Sequence, residues 1–199
     1  MEPNDKSNIT IGRPTEGGAV FWAPAGTTLP TSADEDLDAA FENLGYVTED
    51  GVTVSTEEER DDIVAWGPED VMSAETAYRK TATLALLETA RKNVLEFLYG
   101  KDNVYEDGNT LSWDDTGDPL PRGVLVVDTL QNNGSTTPRI KRQIFGDAQF
   151  VDRSGDHVYN NSDPLSFPIV VKAYKFTPEG SEKQTYIRTY LSAPVSPSA

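Results

Sequence analysis

The 199-residue chain has no cysteine and a single histidine. Without cysteine there is no disulfide framework, no thiolate metal site and no cysteine nucleophile. No apolar run approaches the roughly 18 residues that a membrane-spanning helix needs. The opening residues MEPNDKSNITIG lack the basic start and apolar middle of a secretory signal, so the expectation is a protein made and kept in soluble form. Bases are scarce: 17 Lys and Arg stand against 33 Asp and Glu, for a net charge of −16. Clustered cations that displace counterions from a phosphate backbone are therefore not available. A balance of this kind suits a surface to which nucleic acid does not adhere.

Catalytic signatures are missing too. His157 sits in DRSGDHVYNNSD. Its neighbours Ser154, Asp152 and Asp156 are too close in sequence for triad geometry, and no nucleophile-elbow pattern accompanies them; a solvated turn histidine is the better reading. Carboxylates abound, but a glycosidase acid needs an apolar setting to raise its pKa, and the densest run, Glu57 to Asp62, is too charged for that. Asp102, Asp107, Asp114, Asp115 and Asp118 lack EF-hand spacing and have the composition of Asx-rich turns. No glycine-rich phosphate loop is present. These absences point away from an enzyme, and no cofactor or metal is implied.

What is present is a turn-rich chain with 15 Gly, 13 Pro and 37% hydrophobic residues. Residues 1–18 read as a flexible arm, 19–191 as one domain and 192–199 as a flexible tail. Ala19–Pro24 is a short apolar strand, in which Phe21 and Trp22 are core or subunit-interface aromatics. Leu37–Leu44 suggests a helical turn or two. Gly45–Val47 and Val52–Val54 flank a turn at Glu49-Asp50-Gly51, a hairpin signal. Alternation predicts strands over about Glu75–Leu87, Ile140–Ile144 with a continuation to Phe150 after a break at Gly146, and Phe167–Phe176; Val124–Leu130 and Tyr186–Leu191 also read as strands. Leu111 and Trp113 suggest a small hairpin. Ala90, Val94 and Leu98 follow helical spacing, with Thr89 as N-cap and Gly100 as stop. The expected fold is mainly β (α+β), a sandwich or barrel with one flanking helix.

The charge is concentrated. Between Asp34 and Asp70 there are fourteen acids and one base, Arg60. Within that segment Glu57, Glu58, Glu59, Asp61 and Asp62 precede Ile63, Val64 and Trp66. A solvated loop whose apolar residues tuck back onto their own domain is one reading. An interaction loop, with a Trp anchor and a charged rim, is the other.

From about Gly17 to Val104 the chain resembles the major tail tube proteins of long-tailed bacteriophages with non-contractile tails, most of all those of phages infecting actinobacteria. The markers are APAGT and LP within Ala23–Pro30, FENLGY at Phe41–Tyr46, EDGV at Glu49–Val52, AWG at Ala65–Gly67 and YGKDNV at Tyr99–Val104. The strong acidity at Glu57–Asp62 departs from the more mixed charge of the family. The resemblance implies a β-sandwich-like subunit with extended arms, assembling into hexameric rings that stack into a hollow tube. In each ring the sheets join edge to edge around the lumen. It also implies a place in the virion tail after assembly in the host bacterial cytoplasm, with the tape measure, tail tip and tail terminator proteins as partners. DNA would pass through the lumen without specific binding. On this reading Glu57–Asp70 is an inter-ring loop, with Arg79, Lys80, Arg139, Lys141 and Arg142 as candidate basic counterparts. A tail terminator or a head decoration protein, also β-rich and without motifs, is the alternative.

Overall fold

A computed structural model of the chain describes residues 4, 9–67, 69–132, 138–156 and 158–193. The elements in chain order are β1 (Ile11–Pro14), β2 (Val20–Pro24), β3 (Glu42–Asn43), β4 (Thr53–Val64), β5 (Asp70–Leu86), α1 (Lys92–Tyr99), β6 (Val104–Asp107), β7 (Thr110–Trp113), β8 (Gly123–Asn132), β9 (Arg139–Asp152), β10 (Phe167–Ala173) and β11 (Arg188–Leu191). All but β6 and β7 belong to one nine-stranded sheet of order β3-β2-β8-β9-β10-β5-β4, with β1 on β8 and β11 on β9. The described pairings are antiparallel, as expected of a mainly β chain. The predicted Leu111–Trp113 hairpin is β6–β7.

The sheet curls until its ends meet. Asn43 pairs with Phe21 of β2, and the Leu44 amide donates to the Val20 carbonyl. A few residues on, the Thr48 amide donates to the Ala85 carbonyl and the Leu87 amide to the Tyr46 carbonyl. Residues 42–48 thus lace β2 to β5. This gives a barrel-like sheet rather than two separate layers, with fewer open edges to satisfy. Its interior takes Val20, Ala82, Leu84, Leu125, Val127, Phe145, Ile169 and Val171 from five strands, together with Val94, Leu95, Phe97 and Leu98 of α1. The helix therefore plugs the body from one side instead of lying on an outer face. Period-2 alternation explains the split in β2: Val20 and Trp22 face the interior, and Phe21 faces a second cluster with Val124, Val126 and Ile144. Segment 25–41 covers that outer cluster with Leu29, Leu37 and Phe41.

Several expectations need correction. Leu37–Leu44 forms no helix; its i,i+4 apolar spacing seats Leu37 and Phe41 on the outer cluster while Glu42–Leu44 bond to β2. Gly45–Val47 and Val52–Val54 do not pair with each other. They lie end to end along β5, with Val47 opposite Leu86 and Thr53 opposite Thr83, and the turn between them closes by a Gly51-to-Thr48 bond of 2.9 Å. Thr89 does not cap α1; Arg91 holds that position without a side-chain bond, whereas Gly100 ends the helix as expected, at φ 91°. β9 runs unbroken through Gly146, where the Phe176 ring occupies the space a side chain would take. Phe176 itself lies beyond β10, bridged to Thr185. Ile11–Pro14, in the expected arm, pairs with β8. His157 and residues 194–199 of the expected tail lie outside the described residues.

Candidate self-association surface

The acidic segment is not a loop but half of a β-hairpin. β4 and β5 pair from Thr53 opposite Thr83 to Val64 opposite Asp70. β10 borders β5 only from Lys80 to Leu86, so from Glu57 and Arg79 outward the hairpin is a two-stranded arm. At about 3.3 Å per residue it reaches roughly 25 Å beyond the body. Six consecutive charged residues, Glu57–Asp62, have no apolar alternation to mark a strand. Their extended state comes from cross-strand pairing with β5, whose own pattern is strong.

Charge on the arm is organised by this pairing. Glu57 and Glu59 share a face with Arg79, whose Nη1 donates to Glu57 Oε2 at 3.3 Å and to Glu59 Oε1 at 2.8 Å. These two carboxylates, Glu59 first, raise the guanidinium's pKa further. On the other face Arg60 lies 3.9 Å from Glu58. Between Glu57 and Arg79 there are eight acids against two bases, so most of the acids remain uncompensated. All of Glu57–Asp62 is exposed. The tip is apolar as well: Trp66 is 107% exposed, and Ile63, Val71 and Met72 are exposed beside it. The side chain of Val64 lies outside the described residues.

A two-stranded hairpin is marginally stable by itself in water. A long strand with one edge open to solvent recruits other chains, and β4 ends the sheet order with its outer edge unpaired among the described residues. Acids on both faces of β4 oppose pairing of β4 with another β4, because like charges directly across a ladder repel.

The candidate basic counterparts fall into three groups. Arg79 and Lys80 belong to the same hairpin as the acids: Arg79 is ion-paired within the chain, and Lys80 donates to Thr56 Oγ1 at 2.7 Å. Arg142 is buried, which removes it as a surface partner. Its side chain and that of Asp128 are each 7% exposed, joined at 2.7 Å, and its Nη1 also donates to the Ser32 and Glu35 carbonyls. Sequence carried a signal for this: Arg142 alternates with Ile140 and Ile144, and Asp128 interrupts the apolar run VLVVDTL. Arg139 and Lys141 are half-buried on β9, with no ion pair among the described residues. Phe21 and Trp22 pack within their own chain, Trp22 edge-on to Phe97 at 4.8 Å.

The sequence markers mostly build the fold. Leu44 is buried. The Asn43 side chain donates to the Gly17 carbonyl at 2.6 Å and accepts from the Gly45 amide at 2.7 Å. Gly45, at φ 82°, abuts the Glu88 carboxyl, which accepts from the Tyr46 amide at 3.0 Å. Tyr46 projects outward, 76% exposed. Among the described residues no group of His, Cys, Asp and Glu could hold a metal ion, and no helix is long and apolar enough to cross a membrane.

A family model described as phage tail tube protein matches residues 1–192. The chain belongs to the phage tail tube protein family. No curated protein matches it. Membership selects the tail tube subunit over the tail terminator and decoration readings and makes the chain a structural component of the virion tail that self-associates into a tube.

Proposed function

We propose that this tail tube protein assembles into stacked rings, six subunits to a ring, and that the β4–β5 arm of each subunit reaches the adjacent ring. The observation that carries this reading is Trp66: a large aromatic, fully exposed, at the end of an arm that its own body does not support. Head-to-tail contacts close into rings when the rotation closes, and stack when the two ring faces are complementary. Acids on the arm steer and register the next ring, while Trp66 and Ile63 supply anchoring area. The net charge of −16 per copy keeps phosphate from adhering to the bore, so DNA slides past on ejection. The tape measure protein occupies the bore beforehand, and the tail tip and terminator proteins close its ends. Assembly takes place in the host bacterial cytoplasm.

The test compares assembly with stability. Trp66→Ala is expected to remove about 2 kcal/mol or more of contact energy, the scale of an interface hot spot, so tubes become short or absent by electron microscopy. Melting of the dilute, unassembled protein stays at the wild-type value, since the side chain touches little in its own chain. Long tubes at normal yield from Trp66→Ala, and from a variant with Glu57–Asp62 neutralised, would refute the arm's role.

A further inference from the structure

In a chain with 33 acids and 17 bases, a contact that takes up an acidic partner needs bases that no carboxylate already neutralises. Two such bases flank one groove at the foot of the arm. The groove, about 580 Å³, is lined by Val54, Tyr78, Tyr186 and Ile187 with Lys80 and Lys175, by uncharged polar side chains beside them, and by Glu75 as its one acid. Neither lysine has a carboxylate partner among the described residues. Both ammonium groups are held over rings instead: Lys80 Nζ is 5.6 Å from the Tyr78 centroid and Lys175 Nζ is 5.5 Å from that of Tyr186. The two rings lie 5.2 Å apart, and the Tyr186 hydroxyl donates to the Tyr78 carbonyl at 3.3 Å. Aromatic faces attract cations without neutralising them. The result is a pair of adjoining tyrosines flanked by two ammonium groups that no carboxylate neutralises among the described residues, Lys80 donating only to the neutral Thr56 hydroxyl.

The groove and the arm's tip are opposite ends of one hairpin, since Lys80 stands across from Thr56 at its base. The tip offers the complement: Trp66 and Ile63 for the tyrosine pair and its aliphatic neighbours, and Asp61, Asp62 and Glu69 for the lysines. We infer that the Lys80–Lys175 groove is the receptor for the arm's tip from a second copy of this chain. A tip-to-foot contact is heterologous and cannot close on two copies. It repeats along the arm's direction with a step of roughly the arm's length, about 25 Å, and so drives stacking rather than ring closure. The assignment rests on the arm-to-ring reading above and names the surface that the arm meets.

The test is a charge exchange with a covalent check. Lys80→Glu with Lys175→Glu is expected to lower tube yield about tenfold or more, the change that 1.4 kcal/mol per contact produces. Adding Asp61→Lys and Asp62→Lys to the same chain restores it. Because the chain has no cysteine, Ala65→Cys with Gln184→Cys places the only thiols at tip and groove. Oxidised tubes of that variant are expected to run as a reducible ladder of multimers, whereas either single variant stops at a dimer. Tubes of the double-cysteine variant that give no ladder on oxidation, lysine-reversed chains that form tubes at normal yield, or reversal without rescue would each overturn the groove assignment and leave the tube reading standing. Wild-type protein that stays monomeric at every concentration would overturn both.

Discussion

Replacing Arg142 with methionine tests how the outer loop is held. Methionine keeps the length of the side chain and removes its charge. The guanidinium makes a bidentate pair with Asp128, Nε to Oδ1 at 2.9 Å and Nη2 to Oδ2 at 2.7 Å. It also donates to the Ser32 and Glu35 carbonyls at 3.1 and 2.6 Å. Arg142→Met leaves the Asp128 carboxylate buried without a counter-charge, which costs about 3–5 kcal/mol. For a chain of this size, at about 2–4 °C per kcal/mol, the melting temperature falls on the order of 10–15 °C. Arg142→Met with Asp128→Leu removes both charges and is expected to recover most of that loss, since apolar residues of similar volume often replace a buried pair at no net cost. The deficit that remains reports the two carbonyl bonds to the loop, about 1 kcal/mol each. Circular dichroism of dilute protein measures the first quantity, and amide exchange across 31–36 measures the second, with faster exchange expected in both variants. An Arg142→Met melt within about 0.5 kcal/mol of wild type, the range of an ordinary surface change, would refute the buried-pair reasoning.

Two further outcomes follow from local geometry. Gly146→Ala places a methyl within 2.3 Å of the Phe176 ring, and overpacking of this kind is expected to cost about 1–3 kcal/mol, read as an earlier urea midpoint. The Glu35 carboxyl is held below its ordinary pKa first by the Thr31 amide and then by the Thr31 hydroxyl, with Arg142 adding a smaller attraction. A depressed folded-state pKa contributes stability that is present above the unfolded value and lost as pH falls through the folded one. Protection of the Thr31 amide is therefore expected to drop in acid below the ordinary glutamate range, and Glu35→Gln is expected to abolish that pH dependence.

Elements whose own residues alternate or repeat at helical spacing were legible in the sequence. β5 beside the core and β10 bury every second residue, as Ala82, Leu84 and Leu86 show, whereas β8 is an apolar run buried on both faces from Val124 to Val127. Val94 and Leu98 bury one side of α1, and Gly100 stops it. β4 was not legible, because Glu57–Asp62 carries no apolar period and owes its strand state to β5. The continuity of β9 was hidden for the converse reason: Gly146 looks like a break, and only the Phe176 ring from beyond the next strand shows why no side chain fits there. Within the candidate surface, the acids and Trp66 stood out in the sequence as charge and bulk. Lys175 and Tyr186 did not, since nothing local relates them to Lys80, which is brought opposite them by the return of the chain after β10.

Composition and local pattern together determined a strongly acidic, mainly β chain with one helix, and its sequence markers pointed to the tail tube family. Those properties are sums over residues or depend on near neighbours along the chain. Tertiary structure alone decided that residues 42–48 close the sheet, that Arg142 is spent inside the body, and that the acids stand on an arm of roughly 25 Å with its tip far from its foot. Each of these depends on which distant strands share hydrogen bonds, and pairing at long sequence separation is set by burial and register across the whole sheet.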